Sequence, residues 1–187
     1  MKLWLALFLP GFLLGQPLQR GNVDLRVNYE ARIKTETQWA NAWGDFSEDY
    51  LNSRMLDITL RQIGGGNPAV DVQWYFIGRD HTAGKLYVYD AGEFSGSIAR
   101  GGVKLLPYSK ELVENREKFF GSNQLSGAHP WGWCVIVSQD GRRLEKKAST
   151  PELVQWTLEN RDKALAPPPR NKKRPELHFI PQALGIK

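Results

Sequence analysis

The residues best suited to ligate a metal or move a proton are the three histidines, His81, His129 and His178, and no two of them lie close in sequence. Zinc sites draw clustered Cys and His at short, regular intervals. The spacing therefore predicts no metal site and no cofactor. Arg79-Asp80-His81-Thr82-Ala83-Gly84 reads as a turn, with Asp80 bonding to nearby backbone. His129, ahead of Pro130 and two tryptophans, reads as a loop residue open to ligand contact. Asp90 and Glu93, three apart, form a carboxylate pair, and glycosidic cleavage would need two carboxyls about 5–10 Å apart. Asp45, Glu48 and Asp49 lack the alternating oxygens, the turn glycine and the closing glutamate of a helix–loop–helix calcium site, so they read as a solvated loop or helix start.

The nucleophile patterns fail too. In Gly92-Glu93-Phe94-Ser95-Gly96 the serine stands fourth, which is not a nucleophile elbow. Gly84-Lys85 lacks the glycine spacing and following hydroxyl of a phosphate loop. Cys134, the single cysteine, lies in the apolar run Trp133-Cys134-Val135-Ile136-Val137 with no activating base beside it, and reads as core. No catalytic residue is assigned, and the chain is expected to be non-enzymatic.

Aromatic residues carry more promise. Beyond the apolar start stand Trp39, Trp43, Trp74, Trp131, Trp133 and Trp156. Flat indole faces suit stacking on sugar rings. Trp39 and Trp43, four apart in a stretch rich in Asn and Asp, are the first candidates for ligand contact, with His129 and Trp131 next. Tryptophan is mostly buried on average, so packing competes with binding at each position; Trp74 and Trp156 fall on apolar faces and are expected in the core. At the other end of the chain, Arg170, Lys172, Lys173 and Arg174 follow Pro167-Pro168-Pro169. The seven basic and two acidic residues from Arg161 to Lys187 net +5, the formal charge of the whole chain. The basic pI thus belongs to the tail, whose cations would attract an anionic envelope polymer or lipid headgroup. Nucleic acid fits that charge but not an exported location.

These residues must be positioned by a fold, and the pattern is that of strands. Val23, Leu25, Val27, Tyr29, Ala31 and Ile33 alternate with polar residues, as do Leu56, Ile58 and Leu60 within Met55 to Ile63. Gly64-Gly65-Gly66-Asn67-Pro68 ends the second run. Residues 70–90 read as a hairpin, and short strands are expected around Gly101-Gly102. Leu112, Val113, Arg116, Phe119 and Phe120 approximate helical spacing from Ser109 to Phe120, with Gly121 as a stop. Trp131 to Ser138 reads as a strand covered on both faces. Asp140-Gly141 is a hairpin signal. Ser149-Thr150-Pro151-Glu152 opens a helix, with Ser149 as the cap candidate.

At the start, Lys2 precedes the uncharged run Leu3 to Leu14, broken by Pro10-Gly11. It is shorter than the roughly 20 residues of a spanning helix and reads as a signal peptide, residues 1–15, for export to the periplasm, envelope or exterior. Residues 16–165 are expected to form one mainly β domain: a two-sheet antiparallel β-sandwich of broadly immunoglobulin-like architecture, with one or two short helices. Residues 166–187 form a basic, proline-rich tail expected to be disordered.

The stretch Gly127-Ala128-His129-Pro130-Trp131-Gly132-Trp133-Cys134-Val135-Ile136-Val137, then Asp140-Gly141 and Ala148-Ser149-Thr150-Pro151-Glu152-Leu153, resembles the C-terminal end of uncharacterised exported bacterial proteins. In those, a Gly-Trp opens a core strand, a hairpin follows and a Ser-Thr-Pro helix closes the domain. The resemblance implies no activity and no site residues, and the long basic tail departs from it. The functional expectation is an exported, non-enzymatic binding or structural protein of the cell envelope, with an envelope glycan or anionic polymer as partner. The alternatives are a carbohydrate-binding module using its surface tryptophans and a glycan hydrolase using Asp90 and Glu93.

Overall fold

The computed structural model describes residues 22–63 and 67–161. Residues 1–15, read above as a signal peptide, Gly64 to Gly66 and the basic tail with Arg170, Lys172, Lys173 and Arg174 lie outside the described residues. The described residues form eight antiparallel strands and one helix: β1 (Asn22–Ala40), β2 (Phe46–Ile63), β3 (Ala69–Asp80), β4 (Leu86–Ser97), β5 (Val103–Leu105), β6 (Leu112–Phe119), β7 (Ser122–Gln139), β8 (Arg142–Ala148) and α1 (Pro151–Asn160). The main strand order is β1-β2-β6-β7-β3-β4, with β5 beside β2 and β8 beside β7. No described helix is long and apolar enough to cross a membrane.

The long strand β7 joins the two halves of this path. Its first residues, Ser122 to Gly127, pair with β6. From Ala128 onward it pairs with β3, and from Cys134 also with β8. One hydrophobic cluster draws on both halves: Leu25 from β1, Leu56, Ile58 and Leu60 from β2, Val70, Val72 and Phe76 from β3, and Trp133, Val135 and Val137 from β7. The expected alternation of β2 is thus met, with Leu56, Ile58 and Leu60 fully buried. A second cluster lies on the other face of β3 and β7, where Tyr75, Ile77, Cys134 and Ile136 pack under Leu153 of α1. Gly132 permits this approach, because a Cβ there would run into Leu153 and Ser149. Trp74 and Trp156, expected in the core, are half-buried and pack against the two clusters.

Three local expectations need correction. Ser109 to Phe120 holds a strand, β6, in place of a helix; it is hydrogen-bonded to β2 on one side and β7 on the other, and this pairing overrides the local spacing. Phe120 (φ 46°) and Gly121 (φ 79°) then form a two-residue turn, as do Asp140 (φ 50°) and Gly141 (φ 74°), both with the positive angles that tight hairpins demand. His129 lies within β7, not in a loop. Ser149 does not cap α1: its hydroxyl accepts from Trp133 N at 3.3 Å, and Thr150 holds the cap position.

Strand β1 is wet on both faces over its outer part. Val23 and Leu25 are buried, but Ile33, on the same side of the alternation, is 61% exposed. The outer parts of β1 and β2, paired with β6 and the first residues of β7, lie beyond the apolar core and form an arm of the sheet. Glu48 and Asp49, expected in a loop, belong to β2 on this arm, and Asp45 is buried in the turn that precedes it.

Candidate functional site

The end of the arm gathers aromatic side chains. Trp39 lies near the end of β1, Trp43 in the turn after it, and Phe119 and Phe120 at the β6–β7 turn. Trp39 meets Phe119 edge-on, with ring centroids 6.5 Å apart, and Phe119 meets Phe120 at 4.3 Å. Trp43 is 90% exposed and Phe120 86%. Leaving two such rings in water forgoes about 1.5–3 kcal/mol of burial each, so their exposure is informative.

Asp45 fixes the two turns together. Its carboxylate accepts from Phe120 N at 3.1 Å and from Asn41 Nδ2 at 3.1 Å. Asn41 Oδ1 accepts in turn from Trp43 N at 2.9 Å and Asp45 N at 3.0 Å. The exposed rings therefore ride on turns whose backbone is held by a buried carboxylate. Asn123 and Gln124 add exposed amides at the same end.

A second constellation lies where the arm meets the body. His81 follows β3, Glu114 stands on β6 and His129 on β7. His129 Nδ1 and His81 Nε2 are 3.1 Å apart, and His81 Nε2 lies 3.4 Å from Glu114 Oε2. The other Glu114 oxygen accepts from Arg116 Nε at 3.0 Å. The turn carrying His81 is rigidly made: Asp80 Oδ1 accepts from Thr82 N and Ala83 N, and His81 N donates to Gly127 O at 3.0 Å. Gly127 has φ +79°, and a Cβ there would strike the Val113 carbonyl, so β6 and β7 close up beside Glu114 only because of this glycine.

Burial holds the His129 imidazole below the ordinary histidine value, and the neighbouring His81 acts in the same direction. Burial works to raise the Glu114 carboxyl, but hydrogen bonds from Arg116 and His81 outweigh it and keep it below the usual range. At neutral pH the cluster thus offers a neutral imidazole and an ionised carboxylate. Trp131 stands beside His129, with centroids 5.7 Å apart, and the Arg79 guanidinium lies 4.6 Å above the Trp131 ring.

The structure does not bring all sequence candidates to one place. Trp39 and Trp43 share the aromatic end; His129 and Trp131 share the histidine cluster. Asp90 and Glu93 lie on β4, opposite Phe76 and Gln73, and a separation of three along a strand sends their side chains to opposite faces. Asp90 accepts from Lys110 N at 2.8 Å, whereas Glu93 lines a shallow depression with Gln73, Tyr75, Ala91 and Gly92. Sequence reasoning missed Phe119 and Phe120 as site residues, reading them only as part of a helical spacing. It also missed the meeting of His81, His129 and Glu114. The weak signal available was Gly127, a glycine in an otherwise extended segment. Cys134 is buried as expected, and burial pushes its thiol up to about 11.

No protein family and no curated protein matches the chain. A solved structure described as "X-ray structure of Northeast Structural Genomics Consortium target SoR45" aligns at 17% identity over 69% of this chain and 89% of that one, with a TM-score of 0.22. A score that low informs neither fold nor function.

Proposed function

We propose that this chain is an exported, non-enzymatic binding protein of the cell envelope that binds with the aromatic end of its arm. The observation that carries this reading is the pair of exposed rings, Trp43 and Phe120, on turns fixed to each other by buried Asp45. Preorganised aromatic surface reduces the ordering cost of association. Exposed amides next to aromatic faces suit a neutral, hydroxyl-rich ligand: ring faces stack on sugar and amides bond its hydroxyls. An envelope glycan is therefore the ligand class, which strengthens the carbohydrate-binding alternative over the hydrolase.

In this reading residues 1–15 are the export signal, and the two halves of the sheet close face to face as a sandwich of broadly immunoglobulin-like build. The cluster shared by β1, β2, β3 and β7 supports that closure. The basic tail adds affinity for anionic polymer next to the glycan.

Co-sedimentation with insoluble envelope glycan tests the proposal. The full chain should pellet, and Trp43→Ala with Phe120→Ala should reduce the bound fraction at least about tenfold, a loss of roughly 1.4 kcal/mol or more. Equal pelleting by wild type and double variant refutes it. Pelleting only with lipid vesicles reassigns the aromatic end to a membrane surface.

A further inference from the structure

We propose that His81, His129 and Glu114 form a binding site for a divalent first-row metal ion, with zinc the best fit. Two imidazole nitrogens and one carboxylate oxygen are a donor set that zinc accepts, leaving one position for water or an exogenous ligand. Zinc bonds of about 2.0–2.1 Å at tetrahedral angles place donor atoms about 3.3 Å apart. Here His129 Nδ1 and His81 Nε2 are 3.1 Å apart, and His81 Nε2 and Glu114 Oε2 are 3.4 Å apart. All three donors lie within 4.8 Å of one another. Two of the three separations thus already match the spacing that a tetrahedral ion requires.

The surroundings favour this use. The side chains of Glu114 and His81 are only 10% and 18% exposed, so the ion would exchange much of its water for protein donors. Each ligand comes from a different element, fixed by the β6–β7 pairing at Glu114↔Gly127, the β3–β7 pairing at Arg79↔His129 and the His81 N to Gly127 O bond. Arg116 holds the second Glu114 oxygen at 3.0 Å, the outer support that orients metal-binding carboxylates elsewhere. A bound ion would pin the root of the arm to the body, since β6 belongs to the arm and His81 directly follows β3. This inference stands apart from glycan binding and uses none of the residues at the aromatic end.

The test is cobalt and zinc binding to the full chain after chelator treatment. Cobalt should give the intense visible absorption of a four-coordinate site, at one ion per chain, and zinc should displace it and raise the thermal midpoint. His81→Ala, His129→Ala and Glu114→Gln should each weaken binding by at least about tenfold, and Arg116→Gln, which keeps all three ligands, by about 10–100-fold. His178→Ala, which removes the remaining histidine, should bind like wild type. The wild-type cobalt spectrum needs no variant, so an unfolded variant leaves the test intact. Absence of that band, or binding unchanged in both His81→Ala and His129→Ala, overturns the proposal. Loss of binding in His178→Ala alone overturns it as well, by moving the ion to the tail.

Discussion

Among single residues, the most informative are those whose neighbours along the chain say little about them. Cys134 is the legible case. Its apolar run announces a core residue, and the structure buries it between β7 and α1 with the thiol pushed up to about 11. A thiolate, not a thiol, attacks alkylating reagents. Iodoacetamide at pH 8 should therefore leave Cys134 unmodified in the folded chain and label it in denaturant; rapid labelling of the folded chain would mean that α1 does not cover it. The histidines are the illegible case. His81 and His129 stand 48 positions apart, and only the β3–β7 register, Arg79↔His129 and Asp80↔Ala128, brings them together. Metal motifs are read from sequence when ligands share a loop or helix. Ligands delivered by three elements leave no local spacing to read.

Elements that carry their own pattern were readable, and those defined by partners were not. Asp140-Gly141 predicts its hairpin because both residues tolerate positive φ. Ser149 to Glu152 predicts α1, although Ser149 serves Trp133 and not the cap. In β6 the buried positions are Leu112, Glu114 and Asn115, and polar residues buried by neighbouring strands carry no hydrophobic period. The same holds at the end of the arm, where Asp45 reads as a solvated acid and proves to be a buried link between two turns. Its removal leaves Phe120 N and the Asn41 amide without their acceptor. Asp45→Ala should cost about 1–3 kcal/mol, measured by denaturant unfolding, and should also weaken glycan binding while sparing both rings. Unchanged stability and binding would show that the turns hold themselves.

Across the described residues, one apolar cluster draws on both halves of the sheet, and the arm is left to water. Two buried phenols set an alkaline limit. Burial pushes Tyr87 and Tyr89 up to about 12 from an ordinary 10.0. The unfolded chain releases these protons near pH 10 and the folded chain near 12. Their contribution to stability is therefore complete below pH 10 and lost as pH rises from about 10 to 12. Unfolding midpoints that stay level across this window would contradict the burial. Alternation identified the strands of the body correctly. It extended one-sided burial as far as Ile33 because the pattern says which side a residue faces, not where the body ends. The aromatic end follows from that overshoot, and one optical measurement addresses it directly. Tryptophan emission of the full chain should contain a red-shifted, water-exposed component that Trp43→Phe removes. Saturating envelope glycan should shift that component to the blue in the wild-type chain and produce no shift in Trp43→Phe. A full blue shift retained in Trp43→Phe, or none in the wild type, would contradict binding at the end of the arm.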